Sequence, residues 1–174
     1  MAIPNFAIVL GILLVAMGGV VATYGWNART EVTQRNGMIR AIAAETLVNA
    51  SVFRDPKFSE TNEDKLKKFT LFPRMRTAAL EGAIASGLFL GENDREFLTR
   101  AVNLAGLLDA FNRGLSFTED TMSNRASEIP SFRKKLRDGK ARKHLGARLQ
   151  KFGELLMSDY GVKSGDTFFV KLED

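Results

Sequence analysis

The chain has 174 residues, of which 25 are Lys or Arg, 20 are Asp or Glu, one is histidine and none is cysteine. The missing thiols exclude disulfides, thiolate catalysis and cysteine-ligated zinc, iron–sulfur or c-type haem sites. Once an apolar N-terminal run is set aside, the remainder is the length of one soluble domain with a modest core.

That run, FAIVLGILLVAMGGVVATYGW from Phe6 to Trp26, carries no charge. At about 1.5 Å of helical rise per residue it just crosses a bilayer core of roughly 30 Å, so residues 1–26 are predicted to be a transmembrane anchor and the chain single-pass. No Lys or Arg precedes the run, whereas Arg29, Arg35 and Arg40 follow it with only Glu31 of opposite sign. The positive-inside rule then places the N-terminus outside and the C-terminal domain in the cytoplasm. A cleaved secretory signal is the competing reading, because Val20-x-Ala22 resembles a small-residue cleavage site; the missing basic n-region argues against it. Ala7, Gly11, Gly18 and Ala22 recur near one helical face, with Gly19 beside them. Such a stripe lets a second helix approach closely in lipid, although small residues are also common in membrane helices generally. Phe6 at one end and Tyr24 and Trp26 at the other read as membrane-interface anchors.

After Trp26 the apolar spacing becomes amphipathic: Val32, Ile39, Ile42, Thr46 or Leu47, Ala50 and Phe53 alternate by three and four. No proline interrupts the chain from Asn5 to Asp55. One helix is therefore expected to continue as a juxtamembrane element over 27–55, with Gly37 its weak point, until Asp55-Pro56 stops it. Residues 55–62, DPKFSETN, read as a polar loop leading to a short helical turn through Lys68. Pro73 suits the first turn of the next helix, whose apolar face is Met75, Ala79, Leu80, Ala83, Ile84 and Phe89 until Gly87 and Gly91 break it.

Asn93 is read as the cap of the following helix, with Glu96 reaching back to it. That helix is expected over Asp94–Arg113: Phe97, Leu98, Ala101, Val102, Ala105, Leu108 and Phe111 share a face, and Gly114 sits where a terminating glycine belongs. Glu92, Asp94 and Glu96 are explained by the helix dipole, and Asn103, Asn112 and Arg113 read as solvent-facing. Ser116-x-x-Glu119 suggests another cap before a less regular stretch to Pro130. From Ser131 the chain reads as helical again, broken at Gly139, with Leu145, Leu149, Phe152, Leu155 and Leu156 on one face up to Tyr160-Gly161. The tail, 162–174, ends in the alternating DTFFVKLED and is expected to be an extended arm.

Residues able to do chemistry are sparse. His144 is the only histidine and its neighbours Arg142, Lys143 and Arg148 are cationic, which disfavours a metal, so it reads as a surface residue. Gly18-Gly19 and Gly87-x-x-x-Gly91 lack the strand–turn–helix context of a phosphate loop. With no nucleophile, acid–base pair, metal set or cofactor cradle in view, no enzymatic activity, metal or cofactor is expected. Charge is the feature left over. Arg133, Lys134, Lys135, Arg137, Lys140, Arg142, Lys143, Arg148 and Lys151 face only Asp138 within their stretch, while the rest of the chain carries 16 basic and 19 acidic residues. An anionic partner matches this stretch: a lipid surface, where each basic residue is worth roughly 1 kcal/mol, or an acidic patch on a protein. Nucleic acid is the weaker match, because aromatic interleaving and a binding motif are missing. A merely solvated basic face is the plain alternative.

The expected architecture is mostly α: a single transmembrane helix continuing into a small cytoplasmic helical bundle over 56–161, then the short extended tail. A small α+β domain in which the tail pairs with a strand is the second choice. The expected function is a non-catalytic membrane accessory or scaffold subunit that packs on a larger membrane protein complex or on a second copy of itself. The alternative is a membrane-tethered module that uses residues 133–151 to bind anionic lipid or nucleic acid.

Overall fold

The computed structural model describes residues 3–53, 55–59, 62, 64, 67–68 and 71–163, without the side chains at 3–16, 18–20, 56 and 59. Within these residues lie α1 (Ile3–Val52), α2 (Pro56–Ser59), α3 (Ala78–Ala85), α4 (Arg95–Asn124), α5 (Ile129–Asp138) and α6 (Lys140–Tyr160), with 3-10 turns at Glu92–Asp94 and Ala126–Glu128. No strand occurs among the described residues, and the expected arm lies outside them from residue 164 onward.

The chain divides into two units, Met1–Gly37 and Met38–Asp174. In the first, the described side chains from 21 to 34 are all exposed, including Tyr24 and Trp26. Thr30 and Thr33 donate their hydroxyls to the carbonyls of Trp26 and Arg29, each at 2.9 Å, so their polar groups are satisfied within the helix. Among the described residues no helix is long and apolar enough to cross a membrane. Phe6, Ala7, Gly11 and Gly18 belong to the part of α1 whose side chains are not described. As the spacing predicts, α1 passes through Gly37 and ends at Val52, just before Asp55-Pro56.

The second unit is a helical bundle. Ile39, Ile42, Ala43 and Val52 of α1 join Leu80 and Ala83 of α3, Phe97 through Met122 on one face of α4, Ile129 of α5 and Leu145 through Leu156 of α6 in one core. Helices α4 and α6 run antiparallel. The Phe97 ring lies 5.7 Å from Phe152 and 5.1 Å from Tyr160 at one end, while Leu107 and Leu115 share a cleft with Ala141 and Leu145 at the other.

Three expectations fail, each for a physical reason. Residues 71–77 are not the first turns of a helix: they form a strap without regular secondary structure, and α3 starts only at Ala78. Two asparagines hold the strap from opposite sides. Asn112 on α4 accepts from the Met75 N–H and donates to the Met75 carbonyl, both at 2.9 Å. Asn49 on α1 does the same for Arg76, both at 2.7 Å. Adjacent residues of the strap are thus clamped by two different helices. Glu119 of α4 accepts from the Phe72 N–H at 2.5 Å and pairs with Arg74. Glu45 of α1 accepts from the Ala79 and Leu80 N–H groups at 2.8 and 3.2 Å, where α3 begins with unpaired amides.

Secondly, α4 does not stop at Gly114. Leu115 and Met122 continue the buried face of Leu108 at seven-residue spacing, and the helix runs on to Asn124. Ser116 and Glu119, read as a cap, therefore lie inside it. Thirdly, Asn93 makes no side-chain cap. A 3-10 turn closed by the Asp94 N–H to the Gly91 carbonyl precedes α4, and Glu96 pairs with Arg100 one turn along instead of reaching back. The expected break at Gly139 is present, with φ −67° and ψ 133°, and Gly161 ends α6 in the left-handed region at φ 64°.

The two internal glycines separate these readings experimentally. A Cβ on Gly114 would meet nothing within 4 Å, whereas one on Gly139 would come to 2.7 Å of the Lys135 carbonyl oxygen. Gly114→Ala is expected to raise stability by about 0.5–1 kcal/mol, as for a helix interior, and Gly139→Ala to lower it, both read by denaturant unfolding of the full chain in mild detergent. A helix ending at Gly114 would reverse the first sign. For the clamps, Asn49→Ala and Asn112→Ala should each cost about 1–3 kcal/mol by the same measurement, because two backbone groups of the strap lose their partner.

Candidate functional site

The basic stretch falls on α5 and α6, and the structure splits it into two populations. Arg133 is 4% exposed. Its guanidinium donates to the Lys68 carbonyl at 3.3 Å and lies 5.6 Å from the centre of the Phe72 ring. Burial leaves it no surface for a partner, which corrects its place among the anion-binding candidates. Arg142 is half-buried and also turned inward. It donates to the Phe53 carbonyl at 2.5 Å, just past the end of α1, and to the Arg137 carbonyl at 3.3 Å. Its guanidinium sits 5.8 and 5.6 Å from the Phe53 and Phe58 ring centres, a cation over aromatic faces. Burial pulls its pKa below the ordinary guanidinium value, with Asp138 opposing.

Arg137 is spent on Asp138, donating from Nε to Oδ1 at 2.8 Å and from Nη2 to Oδ2 at 3.3 Å. That hydrogen bond is the main reason the Asp138 carboxyl titrates below the usual carboxylate range; desolvation, the next cause, opposes it, and the charges of Arg137, Lys134 and Lys143 reinforce it. The same hydrogen bond, then the Asp138 charge, raises Arg137. The stretch's one acid is thereby occupied. Lys134, Lys135, Lys140, Lys143, Arg148 and Lys151 are exposed, and none of them forms an ion pair among the described residues. At about 100° per residue, Lys140, Lys143, His144, Arg148 and Lys151 fall on one side of α6. His144 is exposed there, as expected.

Beside this basic face opens a cleft of about 330 Å³. Leu107, Ala110, Phe111, Gly114, Leu115 and Thr118 form its α4 wall; Leu136 of α5 and Ala141, His144 and Leu145 of α6 form the other. It is apolar because Ala110 and Gly114 lower the α4 wall without contributing polar atoms. The Thr118 hydroxyl is turned back to the Gly114 carbonyl at 2.8 Å. The His144 imidazole is then the one polar side chain at the rim of the lining. Phe117, a neighbour of Gly114 at helical spacing, is 74% exposed. Among the described residues no cluster of three His, Cys, Asp or Glu side chains could hold a metal ion.

Of the residues that matter most to the bundle, the sequence assigns Asn112, Asp94 and Glu119 other roles and does not single out Asn49. Asn112, expected to face solvent, is half-buried and clamps the strap. Asp94 is 3% exposed and accepts from the Tyr160 hydroxyl at 2.7 Å. A usable signal existed for Asn49 and Glu119. Asn49 is three residues from Thr46 and Val52, and Glu119 four beyond Leu115 and three before Met122, so each polar side chain occupies a core register. A polar group at a core register must find a partner. No family model matches the sequence, and comparison with curated proteins and with solved structures returns no match.

The two populations predict opposite mutational outcomes. Arg142→Ala should destabilise the full chain by about 1–3 kcal/mol, since the Phe53 carbonyl loses its charged donor and two rings lose their cover. Lys143→Ala, one residue away but exposed, should change stability by less than about 0.5 kcal/mol. Thermal unfolding followed by circular dichroism reads both; equal effects would return Arg142 to the surface set.

Proposed function

We propose that the chain is a non-catalytic, single-pass membrane subunit: residues 6–26 span the bilayer, the N-terminus lies outside, and the bundle docks on the cytoplasmic face of a larger membrane protein complex. The observation that carries this reading is the continuity of α1. The helix containing the uncharged run does not end at its aromatic boundary, and its last turns deliver Ile39, Ile42, Ala43, Thr46 and Asn49 into the bundle core. Eleven residues of α1 lie between Trp26 and Met38. The Ala7, Gly11, Gly18 and Ala22 stripe is the surface proposed to meet a partner helix in lipid.

A second reading is favoured by the six exposed cations on α5 and α6: a tethered module that binds anionic lipid, or nucleic acid, through Lys134, Lys135, Lys140, Lys143, Arg148 and Lys151. Salt separates the two. A subunit is expected to co-purify in mild detergent with partners at fixed stoichiometry that survives moderate salt, read by mass spectrometry. An electrostatic tether loses its partner steeply as salt rises. Reversal of Lys134, Lys140, Lys143 and Arg148 to Glu should keep the helical circular dichroism in either case. Under the second reading alone it should lower affinity for anionic liposomes, by about fivefold or more per residue at about 1 kcal/mol each.

A further inference from the structure

We propose that the cleft between α4 and α6 receives an amphipathic helix of a partner protein, with its apolar stripe in the cleft and acidic residues along one flank, against α6. The inference rests on the docking-subunit reading above and names what that partner presents. Its first support is the chemistry of the lining. Leu115 and Leu145 are buried and form the floor, with half-buried Leu107, Phe111 and Leu136 above them. Because the Thr118 hydroxyl is turned back to its own helix, the lining below His144 offers an occupant no side-chain hydrogen bond. An extended segment laid there would leave backbone N–H and C=O groups unpaired, whereas a helix satisfies its own and inserts side chains only. The occupant is therefore helical.

The second support is one-sided charge. Lys140, His144, Arg148 and Lys151 follow one another at four, four and three along the α6 bank, all exposed, and the three cations among them form no ion pair among the described residues. Asp138, the one acid of the basic stretch, is held by Arg137. On α4 the opposite bank, traced by Asn103, Ala110, Gly114 and Phe117, carries no charge, and Asp109 and Asp120 fall about 160° around that helix from the cleft. One bank is cationic and the other neutral. Carboxylates along a single flank of the occupant match this arrangement, while a single lipid head group would meet only one end of a row about 16 Å long.

The third support is length. From Leu107 to Thr118 the cleft extends about 16 Å, three turns of helix, which accommodates anchors at i, i+3, i+4 and i+7. Ala110 and Gly114 keep the α4 bank low, and a Cβ on Gly114 would meet nothing within 4 Å. A second helix can come close there.

The absence of cysteine makes the test direct. A dansyl label is placed on Ala141→Cys, in the cleft, or on Ser123→Cys, exposed on the far side of α4, in the full chain in mild detergent. The probe is an alanine-based helical peptide of about four turns with leucines at i, i+3, i+4 and i+7 and glutamates along one flank. It should shift the emission of the label at position 141 to the blue and leave that at position 123 unchanged. Ala110→Trp, which fills the cleft from an exposed position, should abolish the response, and Lys140→Glu with Arg148→Glu should weaken binding about tenfold, both with unchanged circular dichroism. No response at position 141, or an equal response to the peptide with lysine in place of glutamate, overturns the proposal. So does a shift produced by phosphatidylglycerol vesicles and not by the peptide, or one that grows with the concentration of the chain alone, since the occupant would then be lipid or a second copy. Co-purification separates this failure from that of the reading beneath it. Partners retained equally by the wild-type chain and both variants overturn the cleft assignment alone, whereas no partner at fixed stoichiometry overturns the docking-subunit reading and the proposal with it.

Discussion

Two asparagines facing each other across a strap without regular secondary structure set the constraint that the rest of the bundle satisfies. Between Leu71 and Thr77 the backbone has no helix of its own and no strand beside it among the described residues; Phe72 and Met75 are buried while Leu71, Arg74 and Arg76 are exposed, and its inward N–H and C=O groups need side-chain partners. Asn112 takes both groups of Met75 and Asn49 both groups of Arg76. An amide side chain is the one type that offers a donor and an acceptor in a fixed plane, matching a peptide unit group for group. Each clamp is only as good as the position of its helix, which ties α1 and α4 to a common spacing. Glu45 and Glu119 extend the same arrangement to either side, one reaching the first amides of α3 and the other the Phe72 amide and Arg74. The apolar side chains of the strap, Phe72 and Met75, then fill the space between those helices, and Arg133 lies over the Phe72 ring.

What could be read from the sequence follows from whether the signal was periodic or singular. Helices α1 and α6 announce themselves by apolar residues at three and four, and Gly139 and Gly161 by positions where a side chain would strain the backbone or meet a carbonyl. Gly114 shows the limit of that logic. A glycine at the end of an apolar run looks the same whether the helix ends or merely passes, and only the buried Leu115 and Met122 beyond it decide. The strap is legible only in pairs. Pro73 and the apolar residues after it fit a helix locally; what overrides that preference is hydrogen bonding from residues 27 and 37 positions away, which no local window contains. For the candidate site, charge density located the helices correctly but could not tell inward from outward arginines. Guanidinium groups are suited to aromatic faces and carbonyl clusters, and Arg133 and Arg142 use both; five of the six exposed cations are lysines among exposed positions of ordinary helix.

The inward turn of Arg142 also has consequences for α1. A helix C-terminus leaves carbonyls without intrahelical partners and carries partial negative charge, so a cation there satisfies both. Arg142 reaches the Phe53 carbonyl from a helix almost ninety positions later in the chain, while Phe53 and Phe58 stack near Phe111 and shield it. The end of α1 is thus fixed by long-range contacts at both Asn49 and Phe53.

That anchoring bears on how one helix can serve two units. A stretch of about fifteen residues such as Met38–Val52 is marginal as an isolated helix, because nucleation costs more than a few turns return. Packing of Ile39, Ile42 and Ala43 and the hydrogen bonds of Glu45 and Asn49 supply what intrinsic propensity does not. The preceding residues, 21–34, have exposed side chains, and the hydroxyls of Thr30 and Thr33 bond to carbonyls of the same helix. Propagation is cheap once a nucleus exists, so their helicity can be inherited from the bundle end. Under the proposed function it is inherited from the other end as well, since a backbone in hydrocarbon has no acceptable alternative to internal hydrogen bonding. A segment held helical from both sides needs no apolar face of its own, which accounts for a linker as polar as Asn27–Asn36 remaining part of α1.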